Sequence, residues 1–117
     1  DLAASLQTEV NRLGRLVFTV ENWGGNDEFS DVDMQQLAET RRICGRLSKL
    51  CSAGEGNTQP AVVQSMVRQT RFFAHLVHSL RLDPRDRIPS CAANVAAVAS
   101  LICNAAVYVV RGNTKNR

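Results

Sequence analysis

The sequence predicts an all-α protein, an antiparallel up-down-up-down four-helix bundle. Four stretches of about twenty residues repeat apolar side chains at intervals of three and four, the period of a helix with one buried face. Three segments rich in Gly, Pro, Asn and Asp, each about seven to nine residues long, separate them, and such connections join antiparallel neighbours. No stretch alternates apolar and polar residues as a half-buried strand would. The expected helices cover about residues 2–22, 31–52, 59–82 and 90–111, each ~30 Å long. Residues 1–112 then form one domain and 113–117 a polar tail.

The first helix follows from Leu2, Leu6, Val10, Leu13, Val17 and Val20, with Gln7, Glu9, Arg12 and Arg15 between them. Gly14 weakens that helix by ~1 kcal/mol, so its presence there marks a close helix crossing. Trp23–Phe29 ends the helix as a glycine-rich loop. It contains GGNDEF, which differs from the diguanylate cyclase GGDEF signature by an inserted Asn. The α/β surroundings of that signature are absent, and loop chemistry accounts for the glycines and Asn26.

The second helix starts at a capping box, Ser30 with Asp33 three residues on. Phe29 and Met34 occupy the staple positions, and Asp31 and Asp33 suit the positive helix end. Leu37, Cys44, Leu47 and Cys51 form the buried stripe, with Ala38 and Leu50 beside it, while Arg42, Arg46 and Lys49 lie on an outer face. Residues 52–58 form a loop, and Asn57 or Thr58 caps the third helix, with Pro60 tolerated in its first turn. Val63, Met66, Thr70, Phe73, Val77 and Leu80 define its inward stripe, widened by Phe72 and Leu76; Arg68, Arg71, His75 and His78 face outward. Asp83-Pro84 stops it, because the residue before proline avoids helical angles.

Cys91–Val110 runs for twenty residues without a charge. On a helix, Cys91, Val95, Val98, Ile102, Ala105 and Val109 fall on one line, and Ala93, Ser100, Asn104, Val107 and Arg111 lie opposite. Ser90 offers a cap and Gly112 a stop. The run is long enough to cross a bilayer, but Asn94, Ser100 and Asn104 would then need partners in lipid. The preferred reading is the central helix of the bundle, buried on most sides, its small second face letting a neighbour approach closely.

Composition fits a core of Leu, Val and Ala: 44% of residues are hydrophobic, with only four Phe, one Trp and one Tyr. Beginning at Asp1 rather than Met reads as a processed or excised piece. The net charge of +3 is unevenly spread. Residues 1–53 hold six basic and eight acidic side chains, residues 54–117 eight basic and three acidic. Arg pairs readily with carboxylates and phosphates, so the second half suits an acidic partner.

The four cysteines test the compartment. On straight helices Cys44 and Cys51 lie ~10 Å apart and Cys91 and Cys103 ~18 Å apart along the axis, too far for a bridge, which needs Cα atoms within about 7 Å. Only Cys44 and Cys103 come level across the bundle. Mostly free, buried thiols are therefore expected, and with them a reducing, cytoplasmic setting. A secreted helical ligand or effector with disulfides is the alternative.

Reactive chemistry finds little support. His75 and His78, at i and i+3, could share a metal, but no carboxylate or cysteine neighbours them in sequence. A Cys–His nucleophile pair would need a thiol outside the core, whereas the cysteines sit on inward stripes or near their edges. There is no CxxC, P-loop, GxGxxG, HExxH or GxSxG pattern. The expectation is no enzyme, no catalytic residue, no metal and no cofactor.

What remains is recognition. A non-catalytic interaction module is expected, binding an amphipathic helix or an acidic segment of another protein in a groove between helices. Arg68, Arg71, Phe72, His75, Leu76 and His78 are the expected contact residues. Anionic lipid or nucleic acid on the Arg/His stripe is the alternative. The expected architecture, with Ala/Val-rich amphipathic helices such as Cys91–Val110, resembles in style the bundles of the talin, vinculin and focal-adhesion-targeting adaptors. That resemblance implies a scaffold or adaptor role.

Overall fold

A computed structural model describes residues 1–20, 23, 30–86 and 89–112 and is all-α. Five α-helices and a single 3-10 turn, Pro84–Asp86, occur among the described residues. Strands are absent there; Glu55 and Thr58 form an isolated bridge inside a turn.

Helix α1, Leu2–Val20, buries Leu6, Val10, Leu13, Val17 and Val20 as their spacing demands, and Leu16 with them. Each such side chain removed from water stabilises by about 1.5–3 kcal/mol. Asp1 caps the start: its carboxylate accepts the N–H of Ala4 at 2.8 Å. The expected end of this helix at 21–22 and the GGNDEF loop at 24–29 lie outside the described residues. Trp23 is buried and its indole N–H donates to Gln36 Oε1 at 3.0 Å.

Helix α2, Asp31–Ala53, opens with the expected capping box. Ser30 Oγ accepts the N–H of Asp33 and Asp33 Oδ2 accepts the N–H of Ser30, both at 3.1 Å. Of the staple pair, Phe29 lies outside the described residues and Met34 is exposed. Leu37, Cys44, Leu47, Leu50 and Cys51 are buried as expected, together with Thr40 and Ile43; Ala38 is exposed. Arg42 and Lys49 are exposed as expected and Arg46 is half-buried; Arg42 and Arg46 both reach Glu9 of α1.

The helix ends at Gly54, whose φ of 74° suits glycine. A Cβ there would stand 2.3 Å from the Thr58 carbonyl oxygen. Glu55 and Thr58 exchange backbone hydrogen bonds of 3.0 and 2.8 Å. That turn commits Thr58, so neither it nor Asn57 caps the next helix. Gln59 takes the cap position without a side-chain bond, and Pro60 follows at the start.

The expected third helix is two. Helix α3, Pro60–Arg68, and helix α4, Phe72–Leu80, are separated by a turn at 69–71. Thr70 shapes the break: its hydroxyl donates to the Val67 carbonyl and accepts the N–H of Phe72, a local side-chain bond that competes with the helix ladder. The break re-phases the buried face. Val63, Gln64 and Val67 are buried on α3, Phe72 and Ser79 on α4. On one continuous helix, Val63 and Phe72 would point about 180° apart. The expected inward stripe is therefore corrected at its C-terminal end, where Val77 and Leu80 are 46% and 59% exposed.

Helix α5, Pro89–Val110, begins one residue before the expected Ser90 cap. Its buried line is the expected one: Cys91, Val95, Val98, Ile102, Ala105 and Val109. The opposite side is not a second packed face. Ala93, Ser100, Asn104, Val107 and Arg111 are exposed, with Ala96 and Val110, so α5 is buried on one face rather than on most sides. By length and composition Cys91–Val110, with mean hydropathy 1.9, could cross a membrane.

Helices α1 and α2 run antiparallel, as Ser5–Arg46, Glu9–Arg42 and Arg12–Glu39 pair in opposite order. Helix α4 lies beside α1 in the same direction, with His75 at Gly14 and His78 at Phe18. Helix α5 packs most closely along α2, where its short Ala and Val side chains allow the axes to approach. Helices α1 and α5 each rest on α2 and on the α3–α4 pair but scarcely on one another. The molecule is elongated, 48 × 26 × 18 Å.

Candidate functional site

The crossing of α1 and α4 opens a groove of about 450 Å³ lined by Asn11, Gly14, Arg15, Phe18, Thr19, Arg71 and His75. Helical spacing places Asn11, Gly14 and Phe18 on the side of α1 that meets α4. Arg71 stands at the N-cap of α4, where its carbonyl accepts the N–H of His75 at 3.0 Å.

Gly14 makes the crossing possible. A Cβ on it would come within 2.3 Å of His75 Cε1 and 2.4 Å of Nε2, so the imidazole occupies the space a side chain would need. His75 Nε2 is buried there without a hydrogen-bond partner. Burial first, then the charges of Arg71 and His78, holds the His75 pKa below its usual 6.5, because a cation gains neither water nor a counter-charge at that spot.

Phe18 sits at the groove's other end, 64% exposed. His78 meets it edge-on, with ring centroids 6.4 Å apart. Phe18 is a large aromatic left open to solvent beside a concave surface.

The charges lining the groove are positive among the described residues. Among the described residues, neither Arg15 nor Arg71 has an ion pair. Glu39 feels the charge of Arg15 only after those of Arg12 and Arg42, and Arg12 holds it with two bonds of 2.8 and 2.9 Å. That two-pronged contact draws the Glu39 pKa down. Asn11 accepts from Gln7 at 2.9 Å through its oxygen, and the Thr19 hydroxyl donates to the Arg15 carbonyl at 2.9 Å. The lining thus combines an aromatic and backbone floor with two cationic arms.

The six residues expected as one contact surface are divided. Arg71 and His75 line the groove and His78 flanks it through Phe18. Phe72 is 0% exposed and stacks edge-on with Phe73 at 5.3 Å inside the core, so it supports the groove without touching its contents. Leu76 is half-buried against the core. Arg68 turns toward α5, where its guanidinium donates to the Val109 carbonyl at 3.5 Å. Sequence reasoning missed Asn11, Arg15, Phe18 and Thr19 as lining. Phe18 was the available signal: it is a large aromatic off the Leu6–Leu13–Val17 stripe, one turn from Gly14.

Other polar clusters are structural. Glu9, with its side chain largely covered, lies 3.0 Å from Arg46 and 3.3 Å from Arg42, and these bridges tie α1 to α2. The buried Gln64 amide donates to the carbonyls of Tyr108 at 2.8 Å and Arg111 at 2.6 Å, closing the C-terminal end of α5.

All four cysteines are free thiols, three buried and Cys103 half-buried. Burial pushes Cys44 up to about 12; it also pushes Cys51 up to about 11, against the opposing charge of Arg68. Neither ionises near neutrality, so neither is a ready nucleophile. His75 and His78 turn to different neighbours, and no three His, Cys, Asp or Glu side chains gather among the described residues as a metal would require.

Compared with known proteins, the chain matches no family model, no curated protein and no solved structure.

Proposed function

We propose that this chain is a non-catalytic protein–protein interaction module that docks a segment of its partner in the groove between α1 and α4. The supporting observation is the pairing of an open aromatic, Phe18, with two arginines, Arg15 and Arg71, that have no ion pair among the described residues, around one concavity. A volume of about 450 Å³ takes a few side chains of an amphipathic helix or acidic segment rather than a whole element, which suits anchor-residue recognition. In this reading the scaffold is an antiparallel four-rod bundle whose third rod is broken at 69–71, and it works as a cytoplasmic adaptor or scaffold. Capture of partners by the intact chain, compared with Phe18→Asp and Arg71→Glu, tests it. Both side chains are on the surface, so the fold should survive, as circular dichroism would check. The captured set should shrink with either change; an unaltered set with both would place docking elsewhere.

A second reading, membrane association, is favoured by the exposed apolar side of α5 at Ala93, Ala96, Val107 and Val110. Flotation with liposomes separates the two: a chain that stays with the aqueous fraction removes the membrane reading.

A further inference from the structure

The groove carries a specificity that follows from its charges. Arg15 comes from α1 and Arg71 from the N-cap of α4, so two different helices each bring one arginine to the same concavity. Gly14, Phe18 and His75 line the same concavity. No carboxylate is among the described lining residues, and residues 56–82 contain no Asp or Glu at all. Two planar cations and an aromatic side chain lining one concavity match a carboxylate attached to an apolar body. The carboxylate offers two oxygens to the guanidinium forks, and the apolar body covers the aromatic floor.

We propose that the groove selects an anionic–apolar side-chain pair in the partner, an Asp or Glu carboxylate held between Arg15 and Arg71 with a neighbouring bulky apolar side chain on Phe18. This deepens the docking reading above and rests on it. Phe18 supplies the contact area. The arginines supply the sign of the charge, because a cation at the same position meets two like charges and a neutral group leaves both guanidinium groups short of their best acceptor.

Three small probes with one aromatic body test the pair directly: 4-phenylbutyrate, 4-phenylbutan-1-ol and 4-phenylbutylamine. Each is titrated into the full chain while the Gly14 amide and the His75 ring protons are followed by NMR. The carboxylate should shift both signals and bind about tenfold or more tightly than the alcohol, as charge-assisted hydrogen bonds exceed neutral ones. The amine should shift neither. Arg15→Glu or Arg71→Glu should cost the carboxylate at least that tenfold and admit the amine, and Phe18→Ala should weaken carboxylate and alcohol alike. Equal binding of all three probes would overturn the charge selection and leave an apolar docking groove standing. No shift from any probe would overturn the selection too, and the docking reading would then stand or fall on the capture experiment alone.

Discussion

The imidazole of His75 lies where a side chain on Gly14 would have to be, with its Cε1 2.3 Å from the position of the missing Cβ. This contact sets the spacing of α1 and α4 and thereby the depth of the groove. A glycine in mid-helix costs about 1 kcal/mol relative to alanine, and here the close crossing offsets it.

Gly14→Ala should therefore destabilise the protein by about 1–3 kcal/mol in spite of its better helix propensity, because overpacking exceeds the propensity gain. The double variant Gly14→Ala/His75→Ala should recover most of the loss, since the clash has lost one partner. Denaturant unfolding of the wild type, both single variants and the double variant measures this. A Gly14→Ala protein more stable than wild type would show that the helices tolerate a wider separation.

His75 also ties stability to pH. Its folded-state pKa lies below the usual 6.5. Arg71 and His78 on its own helix and Arg15 across the groove add positive charge, while Gly14, Phe18, Asn11 and Thr19 supply none. Below pH 6.5 the unfolded chain takes up the proton more readily than the folded one. The histidine's contribution is thus fully present above that pH and is lost as pH falls through the folded-state pKa. Thermal unfolding between pH 7.5 and 5 should show this decline, and His75→Gln should flatten it. A slope unchanged by the substitution would assign the decline to other groups.

Gln64 holds the end of α5 through two carbonyls, so Gln64→Leu should cost about 1–3 kcal/mol by leaving buried acceptors unmatched. Gln64→Glu should cost more at neutral pH, because an ionised carboxylate cannot donate to either carbonyl. Its pKa in the folded state would be raised, so that variant should regain stability as pH falls, the reverse of the His75 effect. Chemical denaturation of both variants at pH 7 and pH 5 distinguishes these signs.

The thiols should react in two classes. Cys103 is half-buried, whereas Cys44, Cys51 and Cys91 are buried, and thiolate character and access together govern the rate. A disulfide reagent applied to the native protein should modify one thiol quickly and three only as the structure opens. Cys103→Ser should remove the fast phase. Four thiols reacting at one rate would mean that the core opens as freely as the surface.

Much of the helical architecture was legible in the residues themselves. Capping boxes, apolar spacing and glycine or proline stops act over one or two turns, so Ser30 with Asp33, the Leu6–Val20 stripe and the Cys91–Val109 line are all visible before any packing is known. Gly14 announced a crossing because nothing local rewards a glycine there. Two features were hidden. The break at 69–71 contains neither glycine nor proline; it rests on Thr70 bonding the backbone of Val67 and Phe72 and on the core's demand that Phe72 turn inward. The outward side of α5 was equally hidden, because small residues pack or face water with nearly equal ease.

From the sequence alone follow helices α1, α2 and α5 and most of the side chains they bury, because these depend on interactions between residues a few positions apart. Tertiary structure alone decided which helices share a boundary, and so brought Arg15 and Phe18 of one helix to Arg71 and His75 of another. Those residues lie more than fifty positions apart, and no periodicity within either helix encodes which face of the other it will meet.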